Sequence, residues 1–464
     1  MDTPIADFID EYEKSEAVRA HMPGHKGRGS IFAPSDITEI AGADSLYHAD
    51  GIIRRSEENA SMLFGSGLTL YSTEGSSQCV KAMCLLACIA AAAGPDLQAG
   101  PRAASDRPVI AAARNAHSSF ISAAMLADFD VAWIPAEDKE FSVCRCTVTP
   151  DGLRRFLKER DDRDAAPSAV YITSPDYLGN IADIRGLADA AHSFGIPLLV
   201  DNAHGAYLRF MPRDLHPMTL GADACCDSAH KTLPVLTGGA YLHISKNAPE
   251  MIRNAATAAI SYFGSTSPSY LILRSLDEVN PYLENGIRAD LRKTAARINE
   301  LREKCEDAGI VFTGDEEIKV TIDSPASGLG AGTGLADSLR SRGIECEFAD
   351  RDYVVLMFSG SSSLRDIEET ETALLGIAEN RGAPEEDPRP TFRLPEVRYR
   401  PRETLYMTSE TVPAARAVGR TASGEDASCP PAVPIAMRGE VIDEDTVSVM
   451  KYYGIDEVSV LREV

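Results

Sequence analysis

The sequence has little positive charge, with 46 Lys and Arg against 70 Asp and Glu among 464 residues and a formal net charge of −24. Nucleic acid and anionic membranes are poor partner candidates, because both attract positively charged proteins. The longest hydrophobic run, residues 82–94, is too short to span a bilayer. The acidic start, MDTPIADFIDEYEKS, lacks the cationic and apolar parts of a secretory signal. We therefore expect a cytoplasmic protein with no membrane partner.

The cysteines also lack an order that would indicate a disulfide framework or a metal site. Ten are scattered over a long chain, which predicts reduced thiols in a cytoplasmic protein. The closest pairs, at positions 144 and 146 and at 225 and 226, form no zinc quartet with suitable spacing. No GxGxxG or Walker sequence occurs either, so the dinucleotide and P-loop fingerprints are absent. We predict no metal.

The length predicts two or three domains. Between about residues 60 and 275, short apolar runs alternate with amphipathic ones, a pattern typical of a mainly parallel sheet covered by helices on both faces. The two closely spaced strands around Lys231 leave room for an antiparallel member. We predict four parts: an N-terminal segment at 1–60, a large domain at 61–280, a small α/β domain at 281–382, and a linker with a C-terminal module at 383–464.

Lys231 lies in "SAHKTLPVLTGGAYL", between apolar stretches that predict a buried position. Burial disfavours the ammonium and makes the amine a usable nucleophile. The alternative is a lysine whose stem is buried while its head reaches solvent. Asp201 follows the apolar run of "IPLLVD", where an acid faces the ligand crevice of an α/β sheet. Its alternative role is to cap the next helix.

Gly75, Ser76 and Ser77 come at the start of a long apolar helix, where free amides and hydroxyls suit a phosphate. Simple N-capping is the alternative. His117 follows the strand-like "PVIAAAR" and is placed either to stack on a flat ligand or to pack in the core. Together with Lys231 and Asp201, these residues favour pyridoxal 5'-phosphate (PLP). The lysine would form the aldimine, the acid would keep the pyridine nitrogen protonated, and the imidazole would cover the ring.

The chain resembles the Orn/Lys/Arg decarboxylase family of fold-type-I PLP enzymes, in its short bacterial form without an N-terminal wing domain. The resemblance covers nearly the whole chain and rests on motifs in the family's order. These are "PGHK" (23–26), "TEGSSQC" (73–79), "DNAH" (201–204), "SAHK" (228–231), "STSPSYLILRSLD" (265–277) and "PPAVPIAMRGEVI" (430–442).

The resemblance implies an aspartate-aminotransferase-like α/β fold, with a mainly parallel seven-stranded sheet in the PLP-binding large domain, a small α/β domain and a C-terminal α+β module. It implies catalytic roles for Lys231, Asp201, His117, His204 and His230. It implies a cofactor site formed by those residues together with Gly75, Ser76, Ser77 and Ser228, and by Ser265 or Thr266 reaching a neighbouring subunit's phosphate. A homodimer or higher homo-oligomer with shared active sites follows. Near the substrate it implies Glu440, His25 and Lys26.

The implied reaction is the PLP-dependent decarboxylation of lysine, ornithine or arginine to a diamine or agmatine. An aminotransferase or another amino-acid lyase is the first alternative, with Arg365 as the candidate clamp for the substrate carboxylate. A non-catalytic PLP-binding relative is the second. The sequence departs from the family at Asn202, where glutamate is common, at residues 429–432, and at Arg438. These departures leave the cofactor site intact and put the substrate side chain in question.

Overall fold

The strands form mostly from short runs of Val, Ile, Leu and Ala, whose side chains pack well in a pleated, buried sheet. In chain order they are β1 Leu68–Ser72, β2 Val109–Ala112, β3 Asp130–Trp133, β4 Ala169–Thr173, β5 Leu198–Asp201, β6 Ala224–Asp227, β7 Ala240–Ile244, β8 Val311–Thr313, β9 Lys319–Asp323, β10 Phe348–Ala349, β11 Tyr353–Met357, β12 Ser409–Pro413 and β13 Glu457–Leu461.

The helices connect these strands and are mostly amphipathic. They are α1 Pro4–Lys14, α2 Ile52–Phe64, α3 Ser76–Ala93, α4 Ser118–Ala127, α5 Pro150–Asp161, α6 Ile184–His192, α7 Pro217–Leu220, α8 Ala229–Thr232, α9 Glu250–Ser261, α10 Tyr270–Asn285, α11 Ile287–Asp307, α12 Gly332–Arg340, α13 Leu364–Ala378, α14 Pro401–Thr404 and α15 Glu444–Tyr452. Short 3-10 helices occupy Leu46–His48, Ala206–Phe210 and Ala414–Arg416.

This computed structural model describes residues 1–93, 107–138, 142–163, 165–384, 389–424 and 433–462. The described chain divides into two units. The first unit comprises Met1–Ile110, Leu157–Ser174 and Ile184–Asp290; the second comprises Ala111–Phe156, Pro175–Asp183 and Leu291–Val464. The four predicted domains stay predictions, and part of the predicted linker, at 385–388, lies outside the described residues. No described helix combines the length and apolar character needed to span a bilayer.

The main sheet has seven strands in the order β1-β7-β6-β5-β4-β2-β3, which confirms the predicted mainly parallel seven-stranded sheet. Strands β4, β5 and β6 are parallel, whereas β7 runs antiparallel to both β6 and β1. Strands β5, β6 and β7 are buried along their whole length, as their continuous apolar sequences require. The second unit has an antiparallel four-stranded sheet, β10-β11-β9-β8, and the ribbon β12-β13.

One predicted strand is shorter than expected. The sequence "ADACCDSAH" predicts a strand through residue 230, but β6 ends at Asp227 and α8 begins at Ala229. The helical turn places Lys231 beyond the end of the sheet rather than within it. The chain then returns as β7, so that α8 connects two adjacent antiparallel strands.

Candidate functional site

The candidate site is built where three parallel strands of the first unit end. Thr173 ends β4 and is paired in register with Asp201, the last residue of β5. Asp201 is in turn paired with Cys226, one residue before the end of β6. Because parallel strands point the same way, their carboxyl ends meet at one edge of the sheet, which is where open α/β folds bind ligands.

Asp201 is almost fully buried, at 3% exposure, and accepts several hydrogen bonds. The hydroxyl of Tyr171 donates to Oδ2 over 2.8 Å, and the backbone N–H of Ala203 donates to Oδ1 over 3.2 Å. Burial, and then the charge of Asp201, raise the pKa of Tyr171 well above its usual range, so the phenol stays protonated and donates. A carboxylate held in this way is oriented to accept a further N–H at the strand end.

Lys231 lies on α8, and its Nζ is 2.9 Å from Nε2 of His204. His204 is 5% exposed and follows Asp201 by three positions, so the end of β5 contributes both residues. Nδ1 of the neighbouring His230 lies 3.0 Å from the carbonyl oxygen of Gly239 and must donate to it. This leaves Nε2 of a neutral His230 as the acceptor.

Hydroxyl groups gather where α3 begins. Ser228 donates to Oγ of Ser76 over 2.8 Å, which joins the segment before α8 to the first turn of α3. Gly75 precedes that turn with a φ of +72°, a conformation that favours glycine. The hydroxyls of Thr73 and Thr232 are buried and have no hydrogen-bond partner among the described residues. Unsatisfied buried hydroxyls beside a helix N-terminus and a lysine fit a phosphate-bearing aldehyde such as PLP.

The other predicted residues belong to other segments of the chain. His117 belongs to the second unit and caps α4, its Nδ1 accepting the N–H of Ser119 over 3.1 Å. In the first unit, Ser265 and Thr266 are exposed in the segment before α10. His25 contacts Asp36 at 3.1 Å. Lys26 donates to the carbonyl of His21. The roles predicted for these residues stay predictions.

Glu440 is buried in the second unit, and both of its carboxylate oxygens are engaged. Arg114 and the N–H of Met437 donate to Oε2 over 2.9 Å and 2.7 Å, and the Trp133 indole donates to Oε1 over 3.1 Å. Burial raises the pKa of Glu440, and the charge of Arg114 opposes that rise. The predicted contact of Glu440 with a substrate amine stays a prediction, but the carboxylate already has a buried partner. By contrast, Arg365 is 84% exposed and pairs with Glu369 along α13.

Sequence reasoning missed Tyr171, Thr73 and Thr232. Tyr171 lies within an apolar strand, and its position in "AVYIT" does not indicate that its hydroxyl reaches a neighbouring strand. Thr232 directly follows Lys231, and a hydroxyl at that position is the signal by which this residue could have been found. Thr73 lies two residues before Gly75, directly after the end of β1.

A family profile described as "Orn/Lys/Arg decarboxylase, major domain" matches residues 3–326. The chain belongs to the Orn/Lys/Arg decarboxylase family. Its members are carboxy-lyases that use PLP, act on amino acids and typically form dimers. The predictions of family, enzyme class and cofactor are thereby confirmed.

Relatives in this family match over nearly the whole chain. "Arginine decarboxylase" of Bacillus subtilis is 27% identical over 478 residues, covering 96% of this chain and 92% of the relative. The structure of a Francisella novicida lysine decarboxylase aligns with a TM-score of 0.78 at 17% identity, covering 99% of this chain and 81% of that one. The constitutive lysine decarboxylase of E. coli gives 0.76 at 17% identity, covering 99% and 82%. The fold is that of the fold-type-I PLP enzymes.

Proposed function

We propose that this member of the Orn/Lys/Arg decarboxylase family decarboxylates a basic amino acid, with PLP attached to Lys231. The observation that carries the proposal is the convergence of Lys231, His204 and a buried, hydrogen-bonded Asp201 beyond the ends of adjacent parallel strands. Arginine is the first substrate to test, because several relatives that match more than nine-tenths of this chain are named arginine decarboxylase. Lysine and ornithine follow.

When bound, PLP supplies an electron sink for the pair of electrons left as CO2 departs. Asp201 would hold a proton on the pyridine nitrogen, and the Tyr171 hydroxyl would keep the carboxylate oriented. His204 would exchange a proton with Nζ of Lys231, since the two nitrogens are within hydrogen-bond distance. The proton that replaces the carboxylate at Cα would come from Lys231 or from His230. His117 would cover the ring.

The phosphate would be held by Ser76, Ser77 and Ser228, together with backbone amides at the start of α3. The unsatisfied hydroxyl of Thr232 is a further donor. Ser265 and Thr266 are exposed, as residues that reach a neighbouring subunit's phosphate must be. We therefore propose a homodimer, or a higher homo-oligomer containing it, in which each site includes a residue of the partner.

The test incubates PLP-loaded protein separately with L-arginine, L-lysine and L-ornithine and measures both CO2 and the amine. We expect equal amounts of CO2 and of agmatine or a diamine from one of the three. Borohydride reduction followed by peptide mapping should locate the cofactor on Lys231. Lys231→Ala should abolish the adduct, whereas Lys246→Ala, which changes an exposed lysine just after β7, should not.

Two results contradict the proposal. An adduct on another lysine would refute the assigned attachment site. Accumulation of the pyridoxamine form without CO2, with any of the three amino acids, would refute the decarboxylase reaction and indicate an aminotransferase.

A further inference from the structure

A cluster of fully buried side chains surrounds Asp227, the last residue of β6. Asp227 directly precedes the Ser228–Lys231 motif. Asp227 Oδ2 is 2.9 Å from Nε2 of His216 and 3.2 Å from Nε2 of His243, and all three side chains have no exposed surface. Asn202 donates its Nδ2 to Oδ1 of Asp227 over 2.7 Å. Asp227 therefore links the segment that carries Lys231 to the residue that follows Asp201.

Two imidazoles and a carboxylate whose ligand atoms lie within 4.8 Å of one another are spaced like a metal site. The hydrogen bonding excludes this role for His216. The backbone N–H of Met218 lies 3.3 Å from Nδ1 of His216 and only donates, so Nδ1 must be the unprotonated nitrogen. Nε2 then carries the proton and points at Asp227. A metal-bound histidine has the opposite arrangement, with its other nitrogen donating to an acceptor.

The cluster therefore holds one net negative charge. Burial disfavours the Asp227 carboxylate, but the three hydrogen bonds donated by His216, His243 and Asn202 offset that cost. Burial also lowers the pKa of His243, which favours the neutral ring, and the Met218 contact requires a neutral His216. Asp227 is thus an anion that accepts three hydrogen bonds from neutral donors.

The other titratable groups that sense this charge do not cancel it. They are Cys79, Cys225, Cys226 and Tyr241, and burial raises the pKa of each, so they stay neutral. Asp201 lies in the same interior and adds to the negative field. On the site side, His204 contacts Nζ of Lys231, and His230 directly precedes Lys231 on α8.

We propose that Asp227 acts as a fixed negative charge behind the PLP site and stabilises the protonated, cationic state of the lysine-bound cofactor. The inference rests on the proposed function, because it takes Lys231 as the attachment point. Asp227 acts at a distance through its field, so its removal shifts an equilibrium without removing a contact to the cofactor.

The test is Asp227→Asn, which removes the charge and keeps the shape. Asn202 can accommodate the new side chain. The Oδ1 of Asn202 is buried and has no partner among the described residues, so rotation of the Asn202 amide lets this oxygen accept from the new amide at position 227. The pH at which bound PLP changes colour reports protonation of its bond to lysine. Removing one negative charge should lower this pH by about one unit, which is the order of magnitude for any two unit charges about 10 Å apart at an effective dielectric constant near 20. Asp227→Ser, smaller and equally neutral, provides the same test if Asp227→Asn does not fold.

Asp223→Asn is the matched control. Asp223 directly precedes the same strand, is buried, and accepts from a histidine, His192, over 2.8 Å and from the N–H of Leu198 over 2.8 Å. It lies roughly 13 Å further along β6, and the 44% exposure of His192 provides solvent screening. We expect its colour-change pH to stay within about a third of a unit of the unaltered protein.

Equal colour-change pH in Asp227→Asn and the unaltered protein would overturn the inference, as would equal shifts in the Asp227 and Asp223 variants. Failure of the proposed function is separate, because it would appear in the unaltered protein as absence of a borohydride-trapped adduct on Lys231. The apo-protein melting temperature of each variant shows whether a shift reflects lost folding.

Discussion

Replacing Glu440 with glutamine tests whether this residue stabilises the second unit or recognises substrate. Glu440 is 1% exposed, and its partner Arg114 is 7% exposed. Removing one member of a buried ion pair costs about 3–5 kcal/mol, because the other charge is left uncompensated. Arg114 keeps two carbonyl acceptors, those of Pro434 and Ile435, and its stacking on Trp133 at 5.1 Å. We therefore expect a loss near the lower limit, about 3 kcal/mol.

The assay is urea unfolding of Glu440→Gln followed by tryptophan fluorescence. Trp133 is the single tryptophan of the sequence, and its indole contacts Glu440, so the signal reports this part of the second unit. Glu369→Gln is the control, because its pair with Arg365 is a solvent-exposed i,i+4 contact worth about 0.5 kcal/mol or less.

A stabilising role and a substrate contact give opposite results. If Glu440 mainly holds Arg114, the unfolding free energy falls by about 3 kcal/mol. A loss no larger than that of Glu369→Gln, accompanied by a raised KM for one basic amino acid, would refute the reasoning and support the contact with the substrate's distal amine.

Three further variants test other parts of the first unit. Tyr171→Phe should lower the unfolding free energy of the apo-protein by about 1.5–3 kcal/mol, because it removes a buried hydrogen bond to the charged Asp201. Tyr241→Phe is the control and should change the unfolding free energy little, since that hydroxyl has no partner among the described residues. Urea unfolding followed by circular dichroism compares the two variants. Thr232→Val should leave apo stability nearly unchanged and weaken PLP binding by about tenfold, measured by cofactor titration; unchanged affinity would exclude Thr232 from the phosphate site. Burial raises the pKa of Glu57 to about 8, so the folded state keeps a proton that the unfolded state releases above about pH 4.5. Between these two pH values the unfolding free energy should therefore fall as the pH rises, by about 1.4 kcal/mol per pH unit. Glu57→Gln should flatten this slope in urea unfolding at pH 5, 6.5 and 8, and an unchanged slope would assign it to other groups.

The positions of Lys231, Asp201 and Ser76 could be predicted because each lies where an apolar run begins or ends. The boundary of an apolar run can be recognised in a single sequence. Three such boundaries, each carrying a polar side chain, predict that these side chains lie at the same edge of the sheet. The motifs are short and local, so the residues within each stay together whatever the tertiary structure. This is why the fold class and the cofactor could be predicted before any contact was known.

The supporting contacts could not be predicted, because they depend on register and on distant pairs. Tyr171 reaches Asp201 only because β4 and β5 are adjacent and aligned, and their sequences do not fix that alignment. Arg114 and Glu440 are 326 positions apart, so neither sequence context indicates the other. The end of β6 could not be predicted, because no glycine or proline separates this strand from α8 in the sequence.

The return of β7 beside β6 has a consequence for how Lys231 is held. In a parallel sheet the segment after a strand usually leads into a long crossover. Only the end of that segment next to the strand is then held by the sheet. Here the segment that carries Lys231 is hydrogen-bonded into neighbouring strands before and after it, by β6 and by β7. The backbone of Lys231 is therefore anchored by a strand on each side. An insertion between residues 228 and 239 would displace the amine, because both ends of this short segment are fixed in the sheet.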